Sequence, residues 1–429
     1  MAKQIKAIKC PHCGSVGKTE VKADHFKCTS CNTEYFLDND DININHNINY
    51  NTPASVNPEQ TKKILIFFAI GVFAFVLLTF IIPTIFRSSS SKSNRNTFTS
   101  TVTPVFYWRF QDQLPFTNAK GEVLVLVFGE KMYMGDHKDK EGIFASFYDL
   151  KSNKELKNVK VENVTAATFN NFQVRQFPNG EIYAIANKTG VFKIDKENLT
   201  ISDVTQSLFT SHQKLASGIA NIEFAYESYG TAFNLMTNEG ANYFFYPLED
   251  KIYTKDEVYV AQRALQNQTS NEKLVTKFDF TSLSSDYPEE KVQLIRFTMK
   301  DSQGGPDDDT HFSWRNDHFV GKSLTSFGSK FVRSFIDLTP GRLYFKPSIL
   351  YFDSEYVLIS ANKTAAEAAP ANIQCIDAKT GNLLFTYAWK ESQHFNNAIR
   401  YKDGFIVKSP TFLLAIGKDG KLIKEFKIN

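Results

Sequence analysis

From Ile64 to Phe86 the chain runs for 23 residues without a charged side chain. No other feature constrains the fold so tightly, because an apolar helix of this length must be surrounded by lipid or by protein on every side. At about 1.5 Å per residue it measures roughly 34 Å, against roughly 30 Å of bilayer hydrocarbon, so one tilted helix suffices to cross. Pro83 lies near its far end, where a kink is tolerated. The 63 residues ahead of it are too many for a cleaved secretory signal, so the segment reads as a signal anchor. A single-pass membrane protein with a transmembrane helix over 62–87 is the expectation.

Upstream, "KCPHCG" is answered by "KCTSCN", which places Cys10, Cys13, Cys28 and Cys31 in two CxxC pairs separated by 14 residues. That is a zinc-site spacing. Zinc favours four tetrahedral ligands, and CxxC lets one tight turn supply two thiolates. Gly14 and Asn32 stand where each turn needs a left-handed residue. Between the pairs, "SVGKTEVKADHFK" reads as a hairpin with apolar Val21 and Phe26, and "TEYF" adds Tyr35 and Phe36 to a small core. So small a piece lacks the apolar area to stand alone, so the metal is part of its fold. Over about residues 8–37 this stretch resembles the zinc-ribbon family. The resemblance implies a domain over 1–38 with one structural Zn2+ on Cys10, Cys13, Cys28 and Cys31. Four cysteines already complete the set without His12 or His25, and a full set leaves no open position for catalysis.

Orientation follows from the thiols. Lys62 and Lys63 flank one end of the apolar run, and Arg87, Lys92 and Arg95 the other, so the positive-inside rule is nearly neutral. Four reduced cysteines persist in a reducing cytosol. The ribbon is therefore expected inside, and the carboxy-terminal part outside, a plasma or bacterial inner membrane. Residues 39–61 are Asn-rich and polar and read as a flexible linker, and 88–103 as a Ser/Thr/Asn stalk. From Met1 to Asn96 there are 11 basic and 7 acidic residues, leaving 38 against 39 in the remainder. Such a balance lacks the electrostatic footprint of a general nucleic-acid binder, so nucleic acid is an unlikely partner.

The remainder, 104–429, shows little sustained helical periodicity, and the chain's 39 Phe and 18 Tyr favour strands. Short apolar runs recur after a turn residue: "GEVLVLVF", "GEIYAIAN", "GANYFFYP", "VQLIRFTM", "EYVLISAN" and "DGFIVKSP", with starts spaced by 59, 60, 52, 63 and 48 residues. This spacing suggests repeated sheet units with variable loops. Several runs are followed by a strand, an Asp, a tight turn and another strand, with Asp149, Asp195 and Asp377 at the Asp position and Gly417 replacing it once. Asn153, Asn198, Gly381 and Gly420 are expected to supply the left-handed turn conformation. The Asp can hydrogen-bond backbone groups across the turn. Cys375, alone in this part, reads as a small buried apolar side chain.

"CIDAKTGNLLF" resembles the repeat of quinoprotein-type β-propellers, Ala-x-Asp-x-x-Thr-Gly-x-x-x-Trp. Asp377, Thr380 and Gly381 match it, while Cys375 replaces the Ala and Phe385 the Trp. The resemblance implies a mainly β chain whose carboxy-terminal domain is a propeller, with six or seven four-stranded blades in the length available. The last strand, around "KLIKEFKIN", could pair with an early one such as "PVFYWRF" to close the ring.

No nucleophile elbow, P-loop, HExxH or dinucleotide fingerprint is present in the sequence. The stretch "DSQGGPDDDTHFSWRNDHFVGK" reads as a solvated loop, although Asp307, Asp308 and Asp309 could gather a hard cation and His311 and His318 could act as bases. The expected function is therefore not enzymatic: a membrane-anchored scaffold whose propeller binds a protein or envelope component. The alternatives are an extracytoplasmic ligand binder, or a quinone- and calcium-dependent enzyme, using the propeller axis, and a membrane-tethered ribbon that binds nucleic acid.

Overall fold

The computed structural model describes Cys10, His12, residues 14–22 and 25–36, and residues 105–427 with gaps at 136, 163, 165–170, 227–228, 268–271, 308–309 and 328–331. The expected linker, transmembrane helix and stalk (39–61, 62–87 and 88–103) lie outside the described residues. Among the described residues no helix is long and apolar enough to cross a membrane.

The amino-terminal piece is an antiparallel sheet of β1 (Lys18–Lys22), β2 (His25–Cys28) and β3 (Glu34–Phe36), in that order. The expected hairpin is present, with Lys18 opposite Cys28. Tyr35 is buried, and the ring of Phe26 packs on it at 6.1 Å. Val21 does not join this core. A register shift between Glu20 and Lys22 breaks the alternation there, and Val21 is 48% exposed.

Among the described residues from Phe106 onward there are six blades, following one another along the chain, and one separate two-stranded hairpin. The first blade holds β4 (Phe106–Thr117), β5 (Val123–Tyr133), β6 (Gly142–Asp149) and β7 (Lys154–Lys160). The second holds β8 (Phe172–Gln176), β9 (Ile182–Ala186), β10 (Gly190–Asp195) and β11 (Thr200–Asp203). β12 (Ile219–Phe224), β13 (Phe233–Thr237), β14 (Asn242–Tyr246) and β15 (Lys251–Tyr253) make the third. The fourth has β16 (Leu274–Phe280), β17 (Leu294–Lys300) and β20 (Val332–Asp337), with a separate hairpin of β18 (His311–Asp317) and β19 (Gly321–Phe327) inserted before β20. The fifth is β21 (Phe345–Phe352), β22 (Tyr356–Asn362), β23 (Ala371–Asp377) and β24 (Leu383–Ala388). The sixth is β25 (Asn397–Tyr401), β26 (Gly404–Lys408), β27 (Phe412–Gly417) and β28 (Leu422–Lys427).

The apolar runs of the sequence fall mostly on second strands. β9 is buried at every position, and so is the centre of β22. A strand covered on both faces reads as a continuous apolar run rather than an alternating one. "GANYFFYP" is the exception, because it forms β14, the third strand of its blade.

Shared cores join the sheets into a ring. Leu126 of blade 1 packs with Ala184 of blade 2, Ile185 of blade 2 with Leu235 of blade 3, and Leu294 of blade 4 with Ile359 of blade 5. Leu358 of blade 5 clusters with Val407 of blade 6, and Leu413 of blade 6 with Val127 of blade 1. Blades 3 and 4 are joined differently. The helix Lys255–Asn267 gives Val258 to the aromatic cluster of blade 3 and Leu265 to the core of blade 4. The blade count is thus six, at the lower of the two expected numbers, and the ring is that of a β-propeller.

Closure corrects the sequence expectation. β28 pairs with β27 and β4 pairs with β5, so among the described residues no strand crosses the seam between the last blade and the first. Each of these blades completes four strands from its own stretch, so neither lacks a strand to borrow. Side chains fasten the seam instead. Lys408 Nζ lies 2.7 Å from Asp112 Oδ1, Gln113 Nε2 donates to Ser409 O at 3.3 Å, and the rings of Tyr148 and Phe426 meet at 5.9 Å.

Candidate metal centre

The sulfurs of Cys10, Cys28 and Cys31 lie within 4.8 Å of one another, and all three residues are buried. Cys10 Sγ and Cys31 Sγ are 3.7 Å apart. Two thiolates on a tetrahedral ion, each at about 2.3 Å from it, stand about 3.8 Å apart, so this separation fits a shared metal. Cys13 lies outside the described residues.

The two knuckles are built alike. Gly14 N–H donates to Cys10 O at 2.8 Å, and Asn32 N–H to Cys28 O at 2.9 Å. Gly14 has φ +72° and Asn32 φ +57°, the left-handed geometry expected of both. Cys10 N–H donates to Ser15 O at 2.7 Å and Cys28 N–H to Thr33 O at 2.9 Å. Thr33 Oγ1 lies 3.2 Å from Cys31 Sγ and 2.9 Å from His12 Nδ1. A thiolate at Cys31 would accept a hydrogen bond from the Thr33 hydroxyl. His12 is buried, yet it is not among the residues whose ligand atoms gather. His25 instead stands 3.6 Å from Glu34.

A contact that the sequence did not announce links this piece to the propeller. The His12 ring stacks over Phe345 with centroids 6.3 Å apart and planes at 21°. Leu383 packs against the cysteine cluster, and a Cβ added at Gly14 would lie 3.3 Å from Arg342 Nε. These three propeller residues belong to blade 5 or to the loop that enters it.

In the propeller the Asp turns are built as expected. Asp377 Oδ1 accepts from Lys379 N at 3.0 Å, Thr380 N at 2.7 Å and Thr380 Oγ1 at 2.8 Å. Asp195 Oδ1 accepts from Glu197 N and Asn198 N, and Asp149 Oδ1 from Ser152 N. The backbone and side-chain hydrogen bonds of Thr380 hold the Asp377 carboxyl below its ordinary pKa. Asn153, Gly381 and Gly420 are left-handed, but at the second blade Leu199, not Asn198, takes φ +51°. There the Asn198 side chain donates to Asp195 Oδ2 at 2.8 Å, and the turn passes its strained position to the next residue. Cys375 is fully buried, and burial pushes its thiol up to about 12, as befits an inert apolar side chain.

The polar stretch 301–322 is not wholly a loop, because His311–Asp317 forms β18 and Gly321 begins β19. Asp307 pairs with Lys277 at 2.7 Å and His311 with Asp279 at 3.5 Å, so the structure spreads these groups over ion pairs. Asp308 and Asp309 lie outside the described residues, and His318 sits in the turn between β18 and β19. Among the described residues only the cysteines gather as metal ligands. On the axis of the ring, a cavity of about 1300 Å³ is lined by Leu114, Arg175, Phe278, Asp279, Leu350 and Asn397, among others, with blades 1, 2, 4, 5 and 6 all contributing inner strands. Arg175 Nη1 donates to Ala225 O at 2.8 Å, and its guanidinium lies 4.8 Å from the centre of the Phe224 ring.

The strand order and the cysteine cluster thus define a six-bladed β-propeller that carries a small cysteine knuckle. No protein-family profile matches the chain, and no curated protein does. Among solved structures it is similar to BamB from Moraxella catarrhalis, at 10% identity over 75% of this chain and 91% of that one, with a TM-score of 0.27. It is also similar to a prolyl endopeptidase, at 10% identity over 74% of this chain and 50% of that one, TM-score 0.36. A third similar structure is the Dos1 propeller, at 9% identity over 76% of this chain and 75% of that one, TM-score 0.24.

Proposed function

We propose that this chain is a membrane-tethered interaction scaffold. The propeller binds a protein or envelope component, Ile64–Phe86 holds it at a membrane, and a structural Zn2+ on Cys10, Cys13, Cys28 and Cys31 folds the ribbon. The reading assigns it no catalytic role. The observation that carries it is the ring itself: six blades, five seams packed through shared cores and one bridged by a helix, with loops and an extra hairpin displayed from that frame. Loops on such a frame make broad binding surfaces. Crosslinking in cells followed by purification of the full-length chain in detergent tests it. A partner recovered in near-stoichiometric amount supports the reading, and recovery no better than from an unrelated membrane protein overturns it.

With a single crossing, the thiols belong in a reducing cytosol and the propeller outside it. The stacking of His12 on Phe345 and the packing of Leu383 on the cysteines favour a second arrangement. In it, ribbon and propeller share one compartment, and the apolar run attaches the chain without separating them. Topology reporters fused at Met1 and at Asn429 decide between them. Opposite sides support the first arrangement, and the same side supports the second.

A further inference from the structure

Among the described residues five blades have four strands, and blade 4 has three. In complete blades the third strand lies inside the fourth and is buried at half or more of its positions. β27 is buried at every position and β23 at all but its last. β20 occupies the same third place beside β17, yet Arg333, Ser334, Phe335 and Ile336 are all exposed. Among the described residues no strand pairs with its outer side.

The register shows which backbone groups face outward. Leu338 N–H donates to Leu294 O at 2.8 Å, which makes these two a hydrogen-bonded pair. In an antiparallel ladder such pairs alternate along the strand. Ile336 opposite Arg296 and Ser334 opposite Thr298 therefore bond towards β17. The N–H and C=O of Phe335 and Asp337 point the other way, out of the sheet. Native proteins blunt an open edge with Lys, Pro or an inward charge. At the centre of β20 stand Phe335 and Ile336 instead, 37% and 47% exposed.

We propose that this edge takes an extended segment of a partner protein as the fourth strand of blade 4. The proposal rests on the scaffold reading and names its binding surface. The molecule's own fourth strands describe the guest. Ile201 of β11, Ile252 of β15, Phe385 of β24 and Phe426 of β28 each pack into the core of a neighbouring seam. A guest in blade 4 runs antiparallel to β20 and is free of Pro where it bonds Phe335 and Asp337. It places apolar side chains beside Ile336 on one face and beside Phe335, which packs on Phe312 at 5.1 Å, on the other. Main-chain bonds supply affinity and the apolar contacts supply selectivity.

Hydrogen exchange on the full-length chain in detergent, with the synthetic peptide KTITFTIK as probe, tests this. In the free protein the amides of Phe335 and Asp337 should exchange at least 100-fold faster than those of Ser334 and Ile336. Added peptide should slow them at least tenfold. Phe335→Pro removes an outward N–H without touching the ladder to β17, which an edge strand tolerates. It should abolish the effect, whereas Phe335→Leu should keep it. Ile336→Lys should weaken the peptide at least tenfold with an unchanged melting temperature. Slow exchange at Phe335 and Asp337 in the free chain would mean that its own residues cover the edge. Slowing only at high protein concentration would mean a second copy does. Either result, or no response to the peptide, overturns the proposal. If Phe335→Pro retains the crosslinked partner, the edge is wrong and the scaffold reading still stands.

Discussion

Asp112 touches three blades at once. From β4 its Oδ1 meets Lys408 of blade 6 at 2.7 Å, while Oδ2 accepts from Val174 N of blade 2 at 2.9 Å. Both side chains of the ion pair are largely shielded, at 26% and 12% exposure. Removing the carboxylate strands a buried lysine and an amide, so Asp112→Ala should lose about 2–4 kcal/mol in urea titration. Asp377 gives a pH-dependent counterpart. Its folded pKa lies below the ordinary value of 3.8, so its contribution is present above that value and is lost as pH falls through the lower folded one. Asp377→Asn should accordingly be less stable than the parent at pH 7, with the gap in urea midpoint narrowing as pH falls below 3.8. The sequence disclosed Asp377, Asp195 and Asp149 because each bonds a backbone amide two or three residues ahead. Asp112 was illegible, since its partners stand 62 and 296 residues away and nothing local marks it.

Turns decide where one element ends and how closely the next can approach. Gly381 has φ +73°, and a Cβ there would lie 2.0 Å from Leu338 O in the preceding blade. Gly121 has φ +76° with nothing within 4 Å of a Cβ, so it isolates the conformational part. Gly121→Ala should cost about 1 kcal/mol, and Gly381→Ala at least about twice that, in thermal melts of the two variants. At the scale of strands the sequence was informative where burial is two-sided, as in β5, β9, β22 and β26. It was weak where a strand is short or half-exposed: β7, with only Leu156 and Val159 among polar neighbours, has no recognisable run. Blade 4 hid its shape for the same reason. β18 lies within a stretch whose Gly, Pro and Asp content reads as loop, and pairing with β19 rather than local preference makes it a strand.

For the molecule as a whole, the ribbon and the ring should respond separately to metal. Tyr35 and Phe26 alone give the ribbon little core, whereas five of the six propeller seams have their own. A strong chelator should release about one equivalent of Zn2+ and expose the amides of β1–β3 to exchange, with the melting temperature of the propeller moved by less than about 2 °C. Loss of that protection without zinc release would contradict the assignment of the cysteines. The two CxxC pairs were plain in the sequence because zinc chemistry demands a spacing. The approach of His12 to Phe345 was not, because it joins residues 333 positions apart through ring stacking alone.

The seam between the first and last blades has one more implication. Among the described residues no β-strand is shared across it, so each blade pairs only its own strands and the ring does not depend on which two blades carry the break. A circular permutant that links Lys427 to Val105 through a short Gly/Ser bridge and opens between Ala388 and Asn397 should fold with near-parental ellipticity and melting temperature. An interlocked ring would not survive that cut; this one is held shut by packing.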